Sequence, residues 1–97
     1  MLVRFKRGSK FVKRLNTLMG IYETSMDTRA TYRELLKLEA LVKTQGERAL
    51  YDLNRASLLY DLKHYREASD IILEIPSLNP EFDAKCAIVK TKIMEAL

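Results

Sequence analysis

The chain of 97 residues contains no tryptophan and only one cysteine. Cys86 therefore has no partner for an intramolecular disulfide, which favours a reducing compartment and a cytoplasmic location. No apolar run approaches the roughly 18 residues that a spanning helix needs, so the sequence predicts no membrane crossing. The start of the chain is basic, but no apolar segment follows it, so we also expect no signal peptide.

The residue types that carry catalysis and metal binding are equally scarce. The single histidine, His64, is predicted to lie in a turn, and Cys86 has apolar neighbours typical of a small core residue. One histidine and one distant cysteine do not make the clustered ligand set of a metal site. The glycines Gly8, Gly20 and Gly46 are isolated, so there is no phosphate-binding loop. The sequence thus predicts no enzyme activity, no metal and no cofactor.

Positive charge is concentrated at one end of the chain. Residues 1–14 hold six bases and no acid, whereas the other 83 residues hold 11 bases and 13 acids. We interpret residues 1–9 as a basic lead-in and residues 10–97 as a single helical domain. The predicted basic patch consists of Arg4, Lys6, Arg7, Lys10, Lys13 and Arg14.

Several roles for the basic patch remain open. The three interpretations are a solvated tail, a surface that associates with anionic lipid headgroups, and the cytosolic flank of a membrane anchor. In the last case the domain would be the cytosolic part of a membrane-anchored protein. Nucleic acid is the least favoured partner, because no aromatic stacking platform or recognition-helix pattern accompanies the bases.

Apolar residues recur at intervals of three and four along most of the chain, which predicts an all-α fold. The expected helices cover residues 10 to about 24, 28 to about 46, 47–61, 65–74 and 80–97, with Gly46 ending the second. Pro76 is expected to end the fourth helix near Glu74. Asn79 and Pro80 suit the N-cap and first turn of the fifth. Short loops between five helices predict an antiparallel array.

Residues 54–80, NRASLLYDLKHYREASDIILEIPSLNP, carry a recognisable pattern of small and apolar residues. Two small residues stand where paired helices would approach closely, and a proline opens the following helix. The expected repeat-packing residues are Ala56, Leu59, Leu62, Tyr65, Ala68, Ile72 and Pro80. This segment resembles one tetratricopeptide (TPR) repeat, at about residues 49–82, from a family with a period of about 34 residues.

The resemblance covers roughly a third of the chain and departs from the family pattern in places. There is no tryptophan, Lys63 replaces the usual turn glycine, and Pro76 replaces a helix former. The first helical pair does not repeat the pattern. The resemblance implies a short right-handed array of stacked antiparallel hairpins.

The same resemblance implies a non-enzymatic scaffold whose groove holds a peptide or a partner helix. The groove residues that it implies are Arg48, Tyr51, Asp52, Asn54, Arg55, Lys85 and Ile88. A carboxylate clamp at Asn54 is disfavoured, because Ala84 and Ile88 stand where basic residues would be needed. Apolar residues continue to the end of the last helix, which also allows a homo-oligomer through that helix. The alternative function is association of the basic patch with an anionic membrane surface or nucleic acid, with the helices as support.

Overall fold

The computed structural model describes residues 9–97, and every regular element in that range is helical. Five α-helices follow in order: α1 Lys10–Ser25, α2 Thr28–Lys37, α3 Gln45–Asp61, α4 Tyr65–Glu74 and α5 Pro80–Ala96. A 3₁₀ helix, Leu38–Leu41, extends α2. The predicted all-α fold with five helices is confirmed, whereas Arg4, Lys6, Arg7 and most of the basic lead-in lie outside the described residues.

Side-chain caps fix most of the helix starts. Ser9 caps α1, Asp27 caps α2 and Asn79 caps α5, each by accepting a backbone N–H three residues later. The Asn79 bond to the N–H of Phe82 is 2.8 Å long, and Pro80 occupies the first turn of α5. These short polar side chains satisfy backbone donors that have no partner within the helix. The predicted start of α5 is therefore confirmed, as is the end of α4 at Glu74.

The predicted extent of the second helix is wrong. Its α-helical part ends at Lys37, and after the 3₁₀ helix the backbone at Val42 is extended. Gly46 does not end a helix but lies in the first turn of α3. The reason is the capping box of α3, in which Thr44 accepts the N–H of Glu47 at 3.1 Å. This box starts α3 ahead of Gly46 and requires a non-helical residue at Thr44.

Glu47 also connects the starts of two helices. Its Oε1 accepts the backbone N–H groups of Lys43 at 2.8 Å and Thr44 at 3.4 Å. A hydrogen bond with the Ser9 side chain is the largest cause that lowers the pKa of Glu47, followed by the bond from Lys43. A carboxylate near helix N-termini is favoured by the helix dipole as well. Glu47 therefore ties the cap of α1 to the cap of α3.

Helix α3 is the central element of the fold. Ten of its 17 residues are buried, and it contacts α2, α4 and α5. Its contact with α4 is the most extensive between any two of the described helices, and Ala56 and Ala68 are both fully buried. Leu59 and Ile72 are buried as well, as the hairpin pattern predicted. Of the remaining repeat-packing residues, Leu62 and Tyr65 are half-buried, and Pro80 is exposed in the first turn of α5.

The turn between α3 and α4 has the geometry of a Schellman motif. The N–H of Lys63 donates to the carbonyl of Tyr60 at 2.9 Å, and the N–H of His64 donates to that of Leu59 at 2.8 Å. Lys63 has a φ of 66°, in the left-handed region where this motif normally uses glycine. Lys63 thus adopts the left-handed backbone conformation that glycine normally provides in this motif.

Replacing Lys63 by glycine should raise the free energy of unfolding by about 0.5–1 kcal/mol. The left-handed backbone costs an L-residue roughly 1–2 kcal/mol, part of which is offset because glycine loses more entropy on folding. Lys63 is exposed, so no core packing is lost. Urea unfolding of Lys63→Gly measures the gain, with Lys63→Ala as the control that keeps the strain. Equal stability of the two variants would contradict the prediction.

Candidate functional site

Three predicted groove residues form a polar cluster on one face of α3. Arg48, Asp52 and Arg55 follow one another at helical spacing and remain at least partly exposed. Arg48 Nη1 lies 2.9 Å from Glu39 Oε2, in the 3₁₀ helix. Arg55 Nε donates to the hydroxyl of Tyr32, in α2, at 3.2 Å. The cluster therefore joins α3 to the segment before it.

The charges of this cluster influence one another. The hydrogen bond to Glu39 raises the pKa of Arg48, and the bond to Tyr32 raises the pKa of Arg55. Partial burial raises the pKa of Asp52, while the two neighbouring arginines act in the opposite direction. Since both guanidinium groups already have partners within the fold, a ligand at this face would have to compete for them.

Tyr51 and Asn54 lie beneath this face rather than on it. The side chain of Tyr51 is 1% exposed and that of Asn54 is 0% exposed. The Tyr51 ring packs edge-on against Phe11 of α1 with centroids 6.4 Å apart, and burial raises its pKa. Asn54 Nδ2 donates to the carbonyl of Leu50 at 3.0 Å, within its own helix. Both side chains are thus covered by the fold itself, and their predicted place in a groove stays a prediction.

Lys85 and Ile88 lie on α5, whereas the polar cluster lies on α3. Lys85 Nζ is 3.8 Å from Glu81 Oε1 in its own helix, and Ile88 is exposed. The structure thus brings together only part of the predicted groove.

A cleft that the sequence analysis did not identify lies between α1 and the α2–3₁₀ segment. Its volume is about 470 Å³. Apolar and small side chains line most of it, together with four charged side chains. The apolar and small residues are Thr17, Leu18, Ile21, Ala30, Thr31, Leu38, Ala40 and Leu41, and the charged residues are Lys10, Arg14, Glu34 and Lys37. We call this surface the α1–α2 cleft.

Ile21 is the large apolar side chain that the cleft exposes most, with 56% of its surface accessible. In the sequence it falls beside the buried stripe of α1, which includes Leu18 and Met19 but not Ile21. That extra apolar residue was the available signal, since an exposed apolar residue beside a buried stripe widens the apolar face. The three described bases of the predicted patch, Lys10, Lys13 and Arg14, are all exposed on α1, and two of them line the cleft.

Reactive side chains are dispersed in the described part of the chain. Cys86 is partly buried, and that burial raises the pKa of its thiol, with a smaller effect of Asp83. His64 Nδ1 lies 3.3 Å from Glu67 Oε1 at an exposed position. Among residues 9–97, no three side chains of histidine, cysteine, aspartate or glutamate are grouped to hold a metal ion.

The chain was compared with protein families, curated proteins and solved structures, and none of them matches it. Within residues 9–97, no helix has the length and apolar character required to cross a membrane. The TPR resemblance therefore stays a prediction, which depends on the hairpin pattern of α3 and α4.

Proposed function

We propose that this chain is a non-enzymatic protein-interaction module, a short TPR-like helical array that binds a peptide or partner helix in the α1–α2 cleft. The observation that carries the proposal is the cleft itself, which is open and is lined mainly by apolar and small side chains with four charged ones. Sites that bind ligands are typically concave and mostly apolar, with a few polar groups that fix orientation.

The geometry of α3 supports moving the predicted binding surface from α3 and α5 to the cleft. On α3, Tyr51 and Asn54 are buried, and Arg48 and Arg55 hold partners within the fold. In the cleft, by contrast, more than half of the surface of Ile21 is exposed to solvent. Burying such a side chain against a partner stabilises a complex by roughly 25 cal/mol per Å² of apolar surface removed from water.

The TPR-like part of the proposal is supported by the α3–α4 hairpin. Ala56 and Ala68 are buried at its interface, and α5 follows α4 after a short loop and contacts both helices. This is the order of contacts that stacked hairpins would have. The charged side chains exposed on α1 support the second candidate, association with an anionic membrane surface or nucleic acid. That candidate requires steep salt dependence.

Replacing Ile21 by glutamate should abolish capture of the physiological partner without unfolding the protein, because Ile21 is largely exposed. The measurement is a cross-linked pull-down from native lysate at two salt concentrations, with circular dichroism to verify the fold. Leu36→Glu is the matched control, since Leu36 is an exposed apolar residue of α2 that does not line the cleft. Ile88→Glu tests the groove predicted on α5.

Loss of one specific protein with Ile21→Glu alone would support the α1–α2 cleft. Loss with Ile88→Glu alone would instead restore the groove predicted from the TPR resemblance. If every variant captured the same proteins and capture disappeared at high salt, the basic surface would be the functional element.

A further inference from the structure

Positive charge in the α1–α2 cleft is confined to one end. Helices α1 and α2 are joined by two residues and contact each other, and α1 also contacts the 3₁₀ helix that follows α2. The two helices are therefore antiparallel, and the start of α1 lies beside the end of α2. Lys10 and Arg14 consequently lie at the same end as Lys37, whereas Ile21 and Ala30 lie toward the other end.

The basic end of the cleft has three bases but fewer acids: Glu34 lines the cleft, and the Glu47 carboxylate bonds to Ser9 at the start of α1. Glu34 is the acidic residue of the cleft lining, and its Oε2 already pairs with Lys37 Nζ at 2.7 Å. The first turn of α1 contains no acidic residue. Among the described residues, Lys10 and Arg14 form no ion pair. Two positive charges therefore remain available to an acidic partner at this end.

The length of the cleft matches about three turns of helix. Along α1 its lining residues run from Lys10 to Ile21, a rise of about 16 Å at 1.5 Å per residue. On the facing side they run from Ala30 to Leu41, over the same number of positions. A groove between two packed helices accommodates a third helix, whose apolar face is read at positions i, i+3 or i+4, and i+7.

We propose that the partner of the α1–α2 cleft is an amphipathic helix with an apolar face and acidic residues at one end. This inference depends on the proposed function, because it names the chemistry of the partner for the same surface. The apolar face covers Leu18 and Ile21, and the acidic end meets Lys10 and Arg14. Charge complementarity of this kind fixes the orientation of the partner and excludes basic helices.

Lys13 distinguishes a helix in the cleft from an anionic surface. It is exposed on the same turn of α1 as Lys10 and Arg14 but does not line the cleft. A helix in the cleft leaves Lys13 unused. A lipid surface or a nucleic acid, which responds to the total charge of α1, uses all three bases alike. Lys13→Glu is therefore a matched control for charge reversal within the cleft.

The test uses the full chain and two synthetic helical peptides of about 12 residues, which is the length of the cleft. Both have leucines along one face. One carries glutamates at one end, and its twin carries lysines at the same positions. Affinity is measured by fluorescence anisotropy, and the bound surface is located by amide chemical shifts. Vesicles of phosphatidylcholine and phosphatidylserine, and a short DNA duplex, are tested in parallel.

We expect the glutamate peptide to bind the wild type and to shift amides along both sides of the cleft. The double variant Lys10→Glu/Arg14→Glu should weaken this binding about tenfold or more, because attraction becomes repulsion at two positions. The lysine peptide should bind the double variant better than it binds the wild type. Lys13→Glu should change the affinity by no more than about twofold.

Equal affinity for the two peptides, or an effect of Lys13→Glu as large as that of the double variant, would overturn the acidic-helix assignment. Vesicle or DNA binding that depends equally on all three bases, without peptide binding, would do the same and favour the second candidate. If neither peptide bound while an Ile21-dependent partner was still captured, the partner chemistry would be wrong and the interaction module would stand. If neither peptide bound and no captured protein depended on Ile21, the proposed function itself would be wrong.

Discussion

Replacing Tyr51 by alanine should lower the free energy of unfolding by about 3–5 kcal/mol, the range for removing a large aromatic side chain from a core. The ring of Tyr51 is 1% exposed and packs against Phe11, while the guanidinium of Arg48 lies 5.5 Å from its centroid. Its removal leaves a cavity between α1 and α3. For a small domain, whose total stability is about 5–15 kcal/mol, such a loss is a large fraction. Urea unfolding followed by circular dichroism measures it.

Tyr51→Phe is the control, because it keeps the ring and its packing and should cost only a fraction of the alanine variant. If Tyr51→Ala unfolded at the same urea concentration as the wild type, Tyr51 would not be part of the core. The expected loss also has a practical consequence. A partner that dissociates from Tyr51→Ala is not evidence for a contact with Tyr51, so binding experiments should use exposed residues such as Ile21 and Ile88.

Replacing Glu47 by glutamine should cost about 1.5–3 kcal/mol at neutral pH, the range for hydrogen bonds to a charged group. The carboxylate accepts bonds at the starts of α1 and α3, and glutamine keeps the shape but not the charge. The free energy of unfolding should also depend on pH. These bonds lower the pKa of Glu47 below its ordinary value of 4.5, so protons bind more weakly to the folded state than to the unfolded state.

The contribution of Glu47 is therefore fully present above about pH 4.5 and is lost as the pH falls through the lower pKa of the folded state. Urea unfolding between neutral and acidic pH should show wild type and Glu47→Gln converging at the acidic end. Glu74→Gln, at the exposed end of α4, is the control and should track the wild type throughout. A constant difference between wild type and Glu47→Gln at every pH would contradict the role of the charge.

Helix limits set by local chemistry were predictable from the sequence. Pro76 ends α4 and Asn79 starts α5 because each acts on backbone groups within a few residues. The end of α2 was not predicted, since the apolar pattern continues without interruption from Leu35 through Val42. The sequence has the T-x-x-E pattern of a capping box at Thr44 and Glu47, and this box starts α3 ahead of Gly46.

The candidate site was less predictable than the helices, for a geometric reason. Periodicity identifies the apolar face of a helix but not how many neighbours cover it. Helix α3 is covered on several sides, so Tyr51 and Asn54 are buried although the TPR resemblance implies that they line a groove. The α1–α2 cleft has no counterpart in a single segment, because its two walls come from helices whose separation depends on tertiary packing.

Helix α4 differs from the other described α-helices in what specifies its start. The N-cap residues of α1, α2, α3 and α5 each accept a backbone hydrogen bond with their own side chains, whereas His64 makes no such bond at the start of α4. Instead, the backbone N–H of His64 donates a hydrogen bond to the carbonyl of Leu59 in the last turn of α3. The start of α4 is thus specified by a hydrogen bond to the preceding helix. An insertion in one of the other loops should leave the start of the next helix unchanged, because that helix is capped by its own N-cap side chain. An insertion at residues 62–64 should break the hydrogen bond from His64 to Leu59 and so disturb the start of α4.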